Sequence, residues 1–184
     1  CALPISVFVP HAGCPHQCSF CNQRSISGAA SQPTAQDVRD AALVAMRSSP
    51  EGIKDGEIAF FGGSFTAIDR DYMTELLSAA QEFIGENGFK GIRISTRPDA
   101  VDGEICDILE KYRVTAVELG AQSTDDRVLA MNRRGHTRED IFRSARLLKE
   151  RGFETGLQMM TGLYGSTDED RSEERRVGKE CRSR

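Results

Sequence analysis

Five short β-branched or aromatic runs, each followed by a segment with apolar residues at helical spacing, constrain this chain more than any other feature. The first run, Ile5–Val9, ends at Pro10. The second, Ile58–Phe61, stops at Gly62-Gly63. Ile92–Ser95, Val117–Leu119 and Gly156–Met160 supply the third, fourth and fifth. Between them the helical signals are equally regular. Thr34-x-x-Asp37, with Pro33 before it, reads as a capping box ahead of Val38, Ala42 and Ala45. Met73, Leu76, Leu77, Ala80, Phe83 and Ile84 form a helical stripe that predicts a helix running up to Gly88. Ile105, Ile108, Leu109 and Tyr112 mark another helix, and a short one is expected at Asp126–Met131. A second capping box, Thr137-x-x-Asp140, opens a helix carrying Ile141, Ala145 and Leu148 and stopped by Gly152. Strands alternating with helices imply parallel pairing through right-handed crossovers. Two architectures satisfy that pattern: an open doubly wound sheet, or part of a (βα) barrel. No G-x-G-x-x-G follows the first strand, so the dinucleotide fingerprint is missing.

Composition narrows the class. Hydrophobic residues at 39% and charged residues at 28% describe a folded globular chain rather than a disordered one. No apolar run approaches the ~18 residues of a membrane helix, so no membrane partner is expected. There is no basic-then-apolar leader, which leaves secretion without support and makes cytoplasmic residence the expectation. The first residue is Cys1 rather than Met, as in a fragment whose start is missing.

The net charge of −4 conceals a break. Residues 171–184 hold five Arg, one Lys and three Glu, a net of +3, against −7 for the residues before them. That segment has one large aliphatic residue, Val177, and no period that could bury a face. It also resembles translated read-through of a sequencing adapter. We therefore expect a core domain over residues 1–170 and a non-native tail over 171–184, the alternative being a genuine basic arm. The acidic body offers no general electrostatic pull on nucleic acid.

The chemistry concentrates after the first strand, in His11-Ala12-Gly13-Cys14-Pro15-His16-Gln17-Cys18-Ser19-Phe20-Cys21. This is C-x3-C-x2-C, and clustered cysteines in a chain without a leader point to metal rather than disulfide. Thiolates suit iron–sulfur clusters or zinc. A four-iron cluster has four corners, so three cysteines from one loop can hold three irons and leave one open for a chelating molecule. A structural zinc would need a fourth ligand, which His11 or His16 could supply as Cys3His. That zinc-stabilised, non-catalytic binding domain is the rival reading.

The loop resembles the hallmark of the radical S-adenosylmethionine (SAM) enzymes, C-x3-C-x-aromatic-C, matched by Cys14, Cys18, Phe20 and Cys21. The resemblance implies a 4Fe-4S cluster on the three cysteines, SAM on the open iron, and reductive cleavage to methionine and a 5′-deoxyadenosyl radical that takes hydrogen from a substrate. It also implies a one-electron reductant of flavodoxin or ferredoxin type. The Gly62-Gly63-Ser64 turn matches the family's Gly-Gly contact to the SAM amino group. Ser95-Thr96-Arg97-Pro98-Asp99 resembles the E-T-R-P-D of the Elongator catalytic subunit group, with Ser95 in place of Glu. Val117-Glu118-Leu119-Gly120-Ala121-Gln122-Ser123, followed by Asn132-Arg133-Arg134-Gly135-His136-Thr137, resembles that group's E-x-G-x-Q-S … N-R-G-H-T. In the related anaerobic coproporphyrinogen oxidases the Gln contacts the SAM ribose and an Arg twelve residues later its carboxylate. These roles would fall here to Gln122 and Arg134.

Glu118, inside a strand, would form either an ion pair or a SAM contact. His136 is expected to serve the loop or cap before the next helix, and Cys106 to be a small core residue. Gly156–Gly165 resembles M-M-P-G-L-P-G with both prolines replaced, by Thr161 and Tyr164. The resemblance therefore implies an α/β fold: an incomplete (βα)6 barrel of parallel strands, cut off after about five, with its site at the strands' carboxyl ends. Such a fragment alone is expected to be inactive. The substrate suggested by resemblance is a tRNA uridine or a small porphyrinogen-like molecule.

Overall fold

The computed structural model describes residues 5–10, 14, 18–21, 31–48 and 53–167. The expected tail at 171–184, and His11 and His16, lie outside the described residues. Five strands, β1 (Ile5–Val9), β2 (Glu57–Gly62), β3 (Gly91–Thr96), β4 (Val114–Gln122) and β5 (Glu154–Met159), form one parallel sheet in the order β1-β2-β3-β4-β5. Helices α1 (Ala35–Ser48), α2 (Arg70–Gln81), α3 (Gly103–Lys111), α4 (Asp126–Met131) and α5 (Arg138–Glu150) lie in the connections.

That strand order decides between the two architectures. A doubly wound sheet reverses direction at a switch point. Here each strand adds to the same edge, so right-handed crossovers place the helices on one face and leave the other as the wall of a lumen. The fold is α/β, a partial barrel of parallel strands.

Alternation along each strand then separates two environments. On the helix side, Val7, Val9, Ile58, Phe60, Ile92, Ile94, Val117 and Leu119 join Met73, Leu76, Leu77, Ile105, Leu109 and Leu148 in one buried core. Cys106 is buried in that core, and burial pushes its thiol pKa up.

The lumen side is polar. Arg93 on β3 reaches Glu57 of β2 through Nε at 2.6 Å, Glu118 of β4 through Nη1 at 2.6 Å and Glu154 of β5 through Nη2 at 3.0 Å. Of the two openings for Glu118, the structure takes the ion pair. Burial weighs against charge on Arg93, but hydrogen bonds and charges from Glu57 and Glu154 outweigh it and hold the guanidinium pKa above its ordinary value. Gly156 makes the arrangement possible, because a Cβ there would overlap the Glu118 carboxylate.

Both capping boxes form. Thr34 and Asp37 exchange side-chain to backbone bonds before α1, and Thr137 and Asp140 do the same at α5. Helix α2 stops earlier than its stripe predicts, at Gln81. Phe83 and Ile84 continue the apolar period but belong to a turn that folds back, with the Phe89 N–H donating to the Phe83 carbonyl and Ile84 bridging to Phe89. Their apolar surface packs on the core from that turn. No helix among the described residues is long and apolar enough to cross a membrane.

Candidate functional site

At the carboxyl ends of the strands a cavity of about 130 Å³ gathers residues from the ends of all five strands. The loop after β1 contributes Cys14, Cys18, Phe20 and Cys21. Gly62, Gly63 and Ser64 come from the end of β2, Ser95 from β3, Gln122 from β4, and Arg134 from the loop after α4. All ten residues singled out in the sequence thus face one space. The structure adds Thr96, Arg97, Gly120 and Gln158 to the wall.

The cysteine loop is shaped by a tight turn in which the Cys21 N–H donates to the Cys18 carbonyl at 3.1 Å, bringing both thiols to the cavity. None of Cys14, Cys18 and Cys21 is in a disulfide. Among the described residues no group of three His, Cys, Asp or Glu side chains is gathered closely enough to hold a single metal ion. A four-iron cubane carries its irons on separate corners and spreads its ligands more widely than a lone ion does.

Arg134 is the electrostatic centre. Its side chain is buried, with Nη1 donating to Cys18 Sγ at 3.2 Å and Nη2 to the Gly120 carbonyl at 2.5 Å. The guanidinium also lies over the Phe20 ring, 5.8 Å from its centroid. Among the described residues its Nε–H is buried without a partner. A buried charged donor left unpaired is costly, so this N–H calls for an acceptor, and a carboxylate suits a guanidinium best. Gly120 keeps the space open: a Cβ there would lie 3.2 Å from Gln122 Nε2 and 3.5 Å from Arg134 Nη2. Gln122 itself takes a left-handed backbone, φ +68°, where the register of β4 against β5 shifts. Arg97 steadies Arg134 from behind, pairing with Asp99 at 2.9 and 3.0 Å and donating through Nη2 to the Arg134 carbonyl at 2.6 Å.

The turn after β2 is fixed by a chain of hydroxyls. The Arg97 N–H donates to Ser64 Oγ at 3.1 Å, and Ser64 Oγ and Thr96 Oγ1 are 2.9 Å apart. Thr96 Oγ1 lies 2.6 Å from Thr66 Oγ1, which donates to the Ala100 carbonyl at 2.5 Å. Because Thr66 gives its proton to Ala100, Thr96 must donate to Thr66 and Ser64 to Thr96. Ser64 therefore borders the cavity with its proton already committed, and can offer a ligand only a lone pair. Gly62 has a structural reason of its own. Its φ is +124°, and a Cβ would stand 2.5 Å from the Val9 carbonyl.

Of the loop and cap roles open to His136, the structure takes the loop role, since Thr137 caps α5. Its buried ring bonds through Nε2 to the Ala121 carbonyl at 3.2 Å, tying the loop that carries Arg134 to the end of β4. Burial, reinforced by the charge of Arg134, pushes its pKa down to about 4. The ring is neutral at pH 7 and Nε2–H is the donor, which leaves Nδ1 as a buried acceptor without a partner among the described residues.

Residues 8–176 match the Radical SAM superfamily. The chain belongs to that superfamily. Among its relatives, the tRNA uridine(34) acetyltransferase of Methanocaldococcus infernus is 28% identical over 130 residues, 61% of this chain and 24% of the relative. Among solved structures, the Methanocaldococcus infernus Elp3 with an N-terminal deletion superposes with a TM-score of 0.69 at 21% identity, over 94% of this chain and 41% of that one. The coproporphyrinogen III oxidase HemN from Escherichia coli, described as a radical SAM enzyme, gives 0.68 at 20% identity, over 97% and 42%. This radical SAM chain thus spans about a quarter of the curated relative and about two fifths of each solved chain. The cysteines at one cavity and the orphaned Arg134 Nε–H fit the cluster and the SAM carboxylate that the superfamily implies.

Proposed function

We propose that this chain is the cofactor-binding core of a radical SAM enzyme, with Cys14, Cys18 and Cys21 holding a 4Fe-4S cluster and the adjoining cavity receiving SAM. The observation that carries this reading is the convergence of three thiols and an unsatisfied, buried guanidinium donor on one space at the strand ends. When bound, the cluster supplies the electron that cleaves SAM to methionine and a 5′-deoxyadenosyl radical, which removes hydrogen from the substrate.

The protein's part is position and electrostatics. Arg134 orients the SAM carboxylate through Nε–H while its two Nη groups stay anchored on Cys18 and Gly120. Gln122 offers its amide to the ribose. Gly62 and Gly63 let backbone approach the amino group, and Ser64 and Ser95 present hydroxyl oxygens beside it. Phe20 covers the cluster side of the cavity and limits water there. A flavodoxin- or ferredoxin-type protein delivers the electron. The substrate is a tRNA uridine or a porphyrinogen-like molecule, and the tRNA-named relative favours the first.

The test is anaerobic turnover of the full-length protein with SAM and dithionite, read as 5′-deoxyadenosine. The reading predicts its formation, and its loss in Cys14→Ala, Cys18→Ala and Cys21→Ala variants. Equal formation in those variants, or none in a protein carrying an intact cluster, contradicts it.

A further inference from the structure

Three loops meet at one side chain that touches neither a thiol nor the cavity. Asn132 lies between α4 and Arg134 and is 1% exposed. Its Nδ2 donates to the Val128 carbonyl at 2.8 Å, at the end of α4, and to the Tyr164 carbonyl at 2.9 Å, in the loop after β5. Its Oδ1 accepts from Ser19 Oγ at 2.8 Å, and its carbonyl accepts from the Ser19 N–H at 3.2 Å. Ser19 is the residue between Cys18 and Phe20, inside the tight turn.

Both N–H donors and the oxygen of the amide are engaged, and the two carbonyls fix its orientation: they require the NH2 group, which leaves the oxygen to accept from the serine hydroxyl. Aspartate has the shape but lacks both donors. Glutamine has the groups but is one methylene too long for a closed site. Ser19 is exposed, so its hydroxyl had water as an alternative partner.

We infer that Asn132 is a positioning residue that docks the cysteine turn against the loops after α4 and β5, setting where Cys18 and Cys21 stand relative to Arg134. This rests on the proposed function for its consequence, cluster retention, but not for the docking itself. The contact between Arg134 Nη1 and Cys18 Sγ depends on that register, since Asn132 and Arg134 share one short segment. The device also links the cysteine turn to Tyr164, a residue exposed on the rim of the same end of the barrel.

The experiment uses the full-length protein with Asn132→Ala, Asn132→Asp, Ser19→Ala and Ser19→Thr. Amide hydrogen exchange is followed in iron-free protein, and iron retention and the electron paramagnetic resonance (EPR) spectrum after reconstitution. Asn132→Ala should speed exchange over residues 18–21 and 163–166 together, and Asn132→Asp should not restore it. Iron retention should weaken by about 10–100-fold, the range found when partners of metal ligands are removed. Ser19→Ala, at an exposed position, should loosen the cysteine turn and broaden the EPR signal without moving the melting temperature, and Ser19→Thr should restore both. If Asn132→Ala fails to fold, the serine pair decides. Unchanged exchange over 18–21 in Ser19→Ala, or wild-type retention and spectrum in Asn132→Ala, overturns the inference. A wild type that takes up no iron would sink the proposed function instead, while the exchange measurement still judges the docking.

Discussion

Replacing Arg93 by Met removes the one cation that ties three lumen carboxylates together, and the cost can be divided among them. Glu154 has a side chain 61% exposed and simply turns to water, so its 3.0 Å pair contributes no more than about 1 kcal/mol. Glu57 is different. Its side chain is 9% exposed, and without Arg93 it keeps only Thr115 Oγ1 at 3.2 Å and Lys90 at 3.9 Å. Glu118, 22% exposed, loses a 2.6 Å bond. Stripping the partner from buried charges typically costs about 3–5 kcal/mol, and most of that should come from Glu57. For a domain of this size that is a fall in Tm on the order of 10 °C.

A second substitution identifies the cause. If the stranded Glu57 carboxylate carries the deficit, Glu57→Gln should destabilise the wild type yet recover part of the loss in Arg93→Met. Denaturant unfolding of the four full-length proteins measures it. A deficit of Arg93→Met below about 1 kcal/mol, or a Glu57→Gln effect equal in the two backgrounds, refutes the ion-pair account and leaves only packing.

Two further expectations come from the site. Thr96→Val keeps the volume but leaves Ser64 without an acceptor and Thr66 without a donor, so it should cost about 2 kcal/mol in denaturant unfolding, while Thr96→Ser should lose far less; equal losses would discard the hydroxyl chain. His136 stays neutral down to about pH 4 when folded but gains its proton near pH 6.5 when unfolded. Stability should therefore decline as pH falls from 6.5 to about 4, by up to about 3 kcal/mol, and His136→Gln should flatten that part of the profile. An identical acid profile in the variant removes His136 from the account.

What could be read from the sequence was what is encoded locally. Thr34-x-x-Asp37 and Thr137-x-x-Asp140 cap their helices with their own neighbours, so three-residue spacing sufficed. Apart from Arg134, which follows α4, the site residues stand at or just beyond a strand's carboxyl end, and a parallel barrel delivers strand ends to one place whatever the lengths between them. Residues whose role depends on a distant partner were not legible. Thr96 acts by meeting Ser64 and Thr66, about thirty positions away, and Asn132 by meeting Ser19. Glu118 left two openings in the sequence because its partner, Arg93, lies across a strand pair. Phe83 and Ile84 carried the helical period past the true end of α2 because an apolar turn packed on a core repeats much like a helix.

The most direct test of the central claim is the metal content of the full-length protein reconstituted without oxygen, combined with EPR of the reduced sample before and after SAM. The account predicts about four iron and four sulfide per cysteine loop, a reduced-cluster signal that changes when SAM is added, and loss of both on Cys18→Ser. A colourless protein holding a single zinc, unaltered by SAM, would contradict it.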